Sequence, residues 1–378
     1  MSSANETQLI VADSEQDANM LYAVGMFVPD SFIYLNIAGR PLILVSDLEF
    51  DRARRDARHC RVLPLSRYAQ RLRRKGITNA GFARIIQLVL KERRIRKVVV
   101  PANFPHGLAR QLRDLRLKVK VKQGAFFPDR ERKNADEVKK ISAALMMAEV
   151  GLAEAIQMLR HAKIGRDRKL VHHGVPLTSE KLQAVINIAI IQVGGLASHT
   201  IVSGGRQACD PHERGRGVLR AHEPIIIDIF PRSQKTGYFG DITRTVVKGR
   251  ASESVRRLYQ TVLGGQEVAF KHLTHGAKAA EVHAKVQEFF KANGYKTRRR
   301  NGRMEGFFHG TGHGLGLALH EAPRLGASSE DVLATGNVVT VEPGLYYPRV
   351  GAVRLEDVAL ITQNGVRNLT KFEKLLEV

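Results

Sequence analysis

The sequence predicts an α+β chain in two parts, a smaller α/β domain over residues 1–128 and a larger α+β domain over residues 135–378. Three observations carry this. The first 125 or so residues alternate short β-rich runs with helical stretches. A hinge follows at Gly124 to Asn134, with Pro128 and the charged run Asp129–Lys133. Beyond it come two helix pairs, each followed by β-rich segments. A length of 378 residues is long for one domain and comfortable for two.

In the first part, Phe32–Ile37 and Pro41–Ser46 read as a strand pair around the turn Ala38-Gly39-Arg40. Asp47 is expected to cap a basic helix, and Thr78 or Asn79 to open a second that runs through Arg94. Lys97–Pro101 is a short buried strand. In the second part, Asn134 or Asp136 caps a long helix to about Ala162. Its apolar positions Val138, Ile141, Leu145, Val150, Leu152, Ile156 and Leu159 approximate a 3–4 spacing. Further helices are expected at Ser179–Val193, Val255–Leu273 and Ala279–Asn293. The strands are His199–Ser203, Pro224–Ile229, Asp241–Val247, Val338–Val341 and Val353–Ile361. The arrangement suggests a duplicated α+β unit, although no sequence repeat is evident.

Composition narrows the class. A hydrophobic fraction of 43% supports a sizeable core. No run reaches the roughly 18 apolar residues of a membrane span; the nearest, Leu182–Ala197, is broken by Gln183, Asn187 and Gln192, so no membrane partner is expected. Met1–Gln8 lacks the layout of a secretory signal. Cys60 and Cys209 are too few for a disulfide framework or a cysteine zinc site, which fits the cytoplasm. The net charge of +23 is uneven: residues 1–50 balance at −6 and residues 51–133 at +19. With no Trp and no recognisable module, the basic segment reads as a solvated surface before it reads as a nucleic-acid site.

The chemistry lies in four segments. Asp228 ends the apolar run Pro224-Ile-Ile-Ile-Asp, and Asp241 opens Asp-Ile-Thr-Arg-Thr after a turn-rich stretch. A hairpin would set the two carboxylates side by side, where they repel unless a cation intervenes; two ordinary hairpin aspartates fit equally well. His309-Gly-Thr-Gly-His313-Gly-Leu-Gly-Leu-Ala-Leu-His320-Glu321 packs four glycines and three histidines into twelve residues, a pattern that suits close backbone approach and nitrogen ligation. Glu342, in Val-Glu-Pro-Gly, and Glu356, in Arg-Leu-Glu-Asp, each close an apolar run; Asp357 reads better as a salt-bridge partner. Four carboxylates and an imidazole suit manganese or a similar divalent ion better than structural zinc, and they suffice for two ions.

The order Asp, Asp, His, Glu, Glu in these contexts resembles the pita-bread metallopeptidases: Xaa-Pro aminopeptidases, prolidases and methionine aminopeptidases. The resemblance covers about residues 135–378. Residues 1–125 look like the creatinase-type N-terminal domain of the proline-directed members, which tilts the reading towards them. The resemblance implies that Asp228, Asp241, His313, Glu342 and Glu356 hold two divalent ions, Mn2+ first, with Co2+ or Zn2+ as alternatives. It implies that a metal-bridging hydroxide attacks the first peptide bond of a peptide substrate. Glu342 would shuttle the proton, and His212 and His320 would contact the scissile group. His309, Tyr346 and Arg354 would support substrate binding. A homodimer is expected. The segment between Asp228 and Asp241 is two residues longer than the family's usual hairpin, which preserves strand parity, so it bears on the mouth of the site and not on the ligands.

Two rival readings remain. One is a metal-free, creatinase-like hydrolase, for which the ligand set is too complete. The other is a basic protein that keeps the fold and binds nucleic acid or ribosomes. Lys296–Arg303, an arginine-rich stretch before the histidine motif, reads first as an exposed loop and second as a border of the cleft that favours acidic peptides or a free carboxylate.

Overall fold

A computed structural model describes residues 6–378, so the first five residues of the polar Met1–Gln8 segment lie outside the described chain. Two compact units emerge, Met1–Pro128 and Asp129–Val378.

The first unit contains β1 (Gln8–Ala12), α1 (Ala18–Val24), β2 (Phe32–Ile37), β3 (Arg40–Val45), α2 (Asp47–Asp56), β4 (Arg61–Pro64), α3 (Leu65–Arg73), α4 (Phe82–Glu92), β5 (Lys97–Val100), α5 (His106–Asp114) and β6 (Lys118–Val121). The strands form one sheet in the order β4-β3-β2-β1-β5-β6. Only β2 runs against the others. Strand alternation gives each face its own core. Leu9, Leu35, Leu44, Val98 and Val100 pack with Leu72, Ile86, Val89 and Leu112. Ile10, Tyr34, Ile43, Val45 and Val99 pack with Met20, Val24, Ala53 and Ala57. Ala38 and Gly39, both at positive φ, make the tight turn between β2 and β3.

Two helix starts differ from expectation. Asp47 does not cap α2: Ser46 holds the cap position, and the Asp47 carboxylate instead accepts a bond from the Ser66 hydroxyl at 2.7 Å. The helix expected from Thr78 or Asn79, α4, begins instead at Phe82 with Gly81 at its cap, since Gly81 still has extended backbone.

The second unit opens with α6 (Ala135–His161), fixed by a reciprocal capping box between Asn134 and Glu137. By length and composition α6 is the one described helix apolar enough to cross a membrane, and it displaces Leu182–Ala197 from that place. Its buried side, including Ile141, Leu145, Leu152 and Leu159, packs in the unit; Val150 is exposed and does not belong to that stripe. A small ribbon, β7 (Lys163–Ile164), β8 (Leu170–His172) and β9 (Val175–Pro176), leads to α7 (Ser179–Gln192). Then come β10 (Gly195–Leu196), β11 (Ile201–Gly204), β12 (Pro224–Ile229), β13 (Arg232–Ser233) and β14 (Ile242–Val247). Strands β11-β12-β14 form one sheet. The helices α8 (Glu253–His272) and α9 (Ala279–Ala292) begin the second half. They cover β17 (Gly312–Gly314), β18 (Glu321–Leu325), β19 (Val338–Val341), β22 (Asp357–Thr362) and β23 (Gly365–Asn368), a sheet ordered β18-β17-β19-β22-β23. Two hairpins complete it: β15 (Arg298–Arg300) with β16 (Arg303–Glu305), and β20 (Gly344–Tyr347) with β21 (Gly351–Arg354). The expected single strand Val353–Ile361 is therefore two strands, broken at Leu355-Glu356 where the chain passes from the hairpin to the larger sheet.

Candidate metal centre

The hairpin of β12 and β14 sets the first two carboxylates. Asp228 stands opposite Thr243, so Asp241, two residues before Thr243, projects from the same face. The longer connection makes its own turn: β13 pairs with β10, and the Gly237 amide donates to the Ser233 carbonyl at 2.8 Å. Gly240 lets this strand approach α6, since a Cβ there would lie 2.4 Å from the Leu145 nitrogen.

His313 sits in the middle of β17. A side chain at Gly312 would lie 1.9 Å from the Thr340 carbonyl, and one at Gly314 2.1 Å from the Ala322 carbonyl, so the glycine pattern reflects strand packing on both sides of the histidine. Glu342 follows β19, and Glu356 follows β21. The Thr243 hydroxyl donates to Glu356 Oε2 at 2.7 Å, and the Thr340 hydroxyl to Glu342 Oε1 at 3.3 Å.

These side chains converge. Ligand atoms of Asp241, His313 and Glu356 all lie within 4.8 Å of one another. His313 Nε2 is 3.3 Å from Glu342 Oε1 and 3.8 Å from Asp241 Oδ2. His313 Nδ1 lies 3.1 Å from the Gly314 carbonyl, which can only accept, so the proton is assigned to Nδ1 and Nε2 keeps a bare lone pair. Burial, with His320 beside it, pushes the His313 pKa down to about 3 and keeps the ring neutral. A bare nitrogen facing carboxylates invites a cation.

The carboxylates say the same. Burial first, then the neighbouring Glu356, Asp228 and Glu342, raises Asp241 well above the usual carboxylate range. Glu356 is raised likewise by burial and by Glu342 and Asp228. Burial pushes Glu342 up to about 7, against the pull of Arg354. Asp228 accepts from Arg354 at 2.7 Å through Oδ2, while its Oδ1 is buried with no hydrogen-bond partner. An orphaned carboxylate oxygen, crowded carboxyls and a deprotonated imidazole nitrogen together fit divalent metal.

Around this cluster is a cavity of about 750 Å3, walled by polar residues and by Ile201, Phe230, Phe308, Leu319 and Leu325. It brings together nine of the ten sequence-predicted residues: Asp228, Asp241, His313, Glu342, Glu356, His212, His320, His309 and Arg354. Tyr346 is fully buried behind the wall. Its hydroxyl lies 2.9 Å from His309 Nε2 and accepts from Arg354 at 2.9 Å, so it orients both neighbours without lining the cavity. His309 Nδ1 lies 2.8 Å from the Gly310 carbonyl, and burial, with Arg354 nearby, pushes this histidine down to about 3. The rings of His313 and His320 meet edge to face at 4.3 Å. Asp357, as expected, is an ion-pair residue, bound by Arg244 at 2.8 Å and by Lys374 at 2.5 Å.

Arg324 is the wall residue that the sequence did not reveal. It is exposed on β18, opposite His313 in the strand register, and faces the cavity. An arginine in a β-run carries no local signal; only the pairing of β17 with β18 brings it to the site.

The sequence profile of metallopeptidase family M24 matches residues 139–363. The chain belongs to metallopeptidase family M24. This M24 enzyme is 32% identical over 262 residues to the Xaa-Pro dipeptidase of Pyrococcus furiosus, covering 65% of the chain and 70% of that relative. It is 30% identical over 295 residues to the Xaa-Pro dipeptidase of Pyrococcus horikoshii, covering 75% of each. Among solved structures, the X-Pro aminopeptidase of Thermotoga maritima superposes with a TM-score of 0.82 at 22% identity, covering 99% of this chain and 98% of that one. The prolidase of Pyrococcus horikoshii superposes with a TM-score of 0.80 at 25% identity, covering 99% and 96%. The M24 chain thus has the pita-bread fold and is a peptide-hydrolysing metalloenzyme.

Proposed function

We propose that the chain is a dinuclear Xaa-Pro dipeptidase with two divalent ions, Mn2+ first and Co2+ or Zn2+ as alternatives. The observation that carries this is the buried group of four carboxylates and one bare imidazole nitrogen, with Asp228 Oδ1 unpartnered. Asp228, Asp241, His313, Glu342 and Glu356 would hold the ions. Bound there, the ions supply Lewis acidity, lowering the pKa of water and polarising a carbonyl.

The protein's own groups do the rest. Glu342 takes a proton from the attacking water and passes it to the leaving nitrogen. A prolyl nitrogen in a peptide bond carries no hydrogen, so its departure requires such a donor. His212 and His320, both exposed on the cavity wall, hydrogen-bond the carbonyl oxygen as charge develops. Arg324 offers a guanidinium to the C-terminal carboxylate of a two-residue substrate, which supports a dipeptidase over an aminopeptidase. A homodimer belongs to this reading, supported by the exposed aliphatics Ile188, Ile191, Val193 and Leu196 at the end of α7. So does a cytoplasmic setting, supported by the free thiols Cys60 and Cys209.

The test is an assay of chelator-treated, Mn2+-reconstituted protein on Xaa-Pro dipeptides, Xaa-Pro tripeptides and Met-peptides. Dipeptides are expected to be cleaved fastest. Arg324→Gln should raise KM for dipeptides about tenfold or more, the worth of a charged hydrogen bond, and leave tripeptides nearly unchanged. Faster cleavage of Met-peptides, or an equal loss on dipeptides and tripeptides, would sink the assignment.

A further inference from the structure

The first unit separates its charges along the strands. Because β1, β3, β4, β5 and β6 run in one direction, their N-terminal ends share one end of the sheet. The turn β2–β3 joins them there. The helix-to-strand turns that feed β4, β5 and β6 arrive at this same end, carrying Arg58 and Arg61, then Arg94, Arg96 and Lys97, then Arg113, Arg116 and Lys118. Arg40 in the β2–β3 turn adds to them. Lys97 and Lys118 are register partners, and the Lys118 amide donates to the Arg96 carbonyl at 2.8 Å, so two of the basic turns are neighbours. The opposite end carries Asp13, Glu15, Asp17, Asp30 and Asp47, beside the strand ends of β1, β2 and β3. The separation is incomplete, since Asp114 closes α5 at the basic end and Lys122 follows β6 at the other, but the basic end still sets nine cations against Glu6, Asp56, Glu92 and Asp114, where a merely solvated surface would mix the signs evenly.

The basic end is also poorly neutralised. Glu92 is taken by Arg71 and Arg93, Asp56 by Arg55, and Lys97 reaches Glu6 at 3.8 Å. Arg94, Arg96, Arg113, Arg116 and Lys118 are exposed and form no ion pair with any described residue. Two of them stand where a glycine would be comfortable. Arg94 and Arg116 end α4 and α5 in equivalent turns at φ 57° and 63°. In each, the next residue's amide donates back to the helix, Ile95 to Leu90 at 2.9 Å and Leu117 to Leu112 at 3.0 Å. A left-handed arginine is strained where a glycine would not be. Helix dipoles favour a cation in the last turn, but they do not require one at the left-handed position itself.

We propose that this end of the sheet binds the phosphodiester backbone of duplex nucleic acid without reading its sequence. Arginine forks match phosphate oxygens, and a row of unpaired cations fits a polymer that carries a charge on every residue. No Phe or Tyr of the unit is exposed among the described residues, and the exposed rings are the imidazoles of His59 and His106, so large stacking platforms for bases are lacking, which favours a duplex over a single strand. The large exposed apolar side chains here are Leu48, at the acidic end, and Val121, at the far end of β6; neither could anchor the basic end in a lipid surface.

The experiment is fluorescence anisotropy of a labelled 20-base-pair duplex with the full-length protein, titrated from 50 to 300 mM KCl. The expected result is binding whose logarithm falls linearly with log salt, by about 0.9 per phosphate contacted. Arg94→Gly with Arg116→Gly should weaken duplex binding about tenfold at low salt while raising Tm, because charge is lost and the left-handed turns are relieved. Adding Arg96→Gln and Lys118→Gln should weaken it further. Peptidase activity should be unchanged in both variants, which separates this site from the metal centre. Absence of binding at 50 mM KCl would overturn the proposal, as would undiminished binding by the variants. So would capture by phosphatidylserine vesicles, or salt-sensitive self-association of basic on acidic ends, without duplex binding.

Discussion

At the scale of single residues, Tyr346 shows how the site is held from behind. Its hydroxyl joins His309 to Arg354, and Arg354 in turn holds Asp228. Tyr346→Phe leaves the buried His309 Nε2 without its partner, so stability is expected to fall by about 1–3 kcal/mol, read as the midpoint of urea unfolding. Activity should fall chiefly through kcat, because Asp228 loses its orientation while the cavity wall is unchanged. An unaltered midpoint and unaltered kcat would show that the hydroxyl has no such duty. The residues proposed as ligands were legible in the sequence because carboxylates and histidines at the ends of apolar runs and among glycines are unusual enough to mark themselves. Tyr346 was legible only through resemblance, and its buried position was not. Arg324 was hidden altogether, since its placement depends on a strand pairing between segments with no local pattern.

Elements position these residues through close backbone approaches. Gly240→Ala would drive a methyl into the α6 backbone at Leu145, so it should lower stability by about 1–3 kcal/mol and loosen metal binding by displacing Asp241. Gly107, inside α5 with nothing within 4 Å of a new Cβ, is the contrasting case: Gly107→Ala should stabilise by roughly 0.5–1 kcal/mol through helix propensity. Thermal unfolding of the two variants checks both signs. Long helices were readable because their apolar spacing and caps agree, as Asn134 and Glu137 show for α6. The short helices α1, α3 and α5 were not, since seven to nine residues, about two turns, offer too few repeats to tell a helical pattern from chance. The false start at Thr78 arose because Thr and Asn are good caps wherever they occur, whereas the cap here is Gly81. The break at Leu355-Glu356 was unreadable because hairpin and sheet are both apolar there.

For the whole molecule, the buried carboxyls tie stability to pH and metal. Burial holds the Glu342 pKa at about 7 against an ordinary 4.5, and Asp241 and Glu356 shift the same way. Taken alone, these carboxyls make the folded protein without metal hold more protons than the unfolded chain and lower its stability as pH rises from about 4.5 to 7, whereas His309 and His313, neutral down to about 3, act in the opposite sense below about 6.5. Metal must displace those protons, so its affinity should rise across the same window. Calorimetric Tm against pH in chelator, for the parent protein and for Glu342→Gln, isolates the Glu342 share. Glu342→Gln should gain on the parent in Tm as pH rises from about 4.5 to 7. A difference that stays flat or shrinks through this window would contradict the raised Glu342 pKa.

The most direct measurement is the metal content of chelator-treated protein reloaded with Mn2+, by plasma emission, alongside Asp241→Ala. About two ions per chain are expected, one or none in the variant, and peptidase activity only where both ions are retained, with far-UV circular dichroism unchanged. Full activity in chelator with no ion bound, or Asp241→Ala retaining ions and activity, would contradict a two-ion centre.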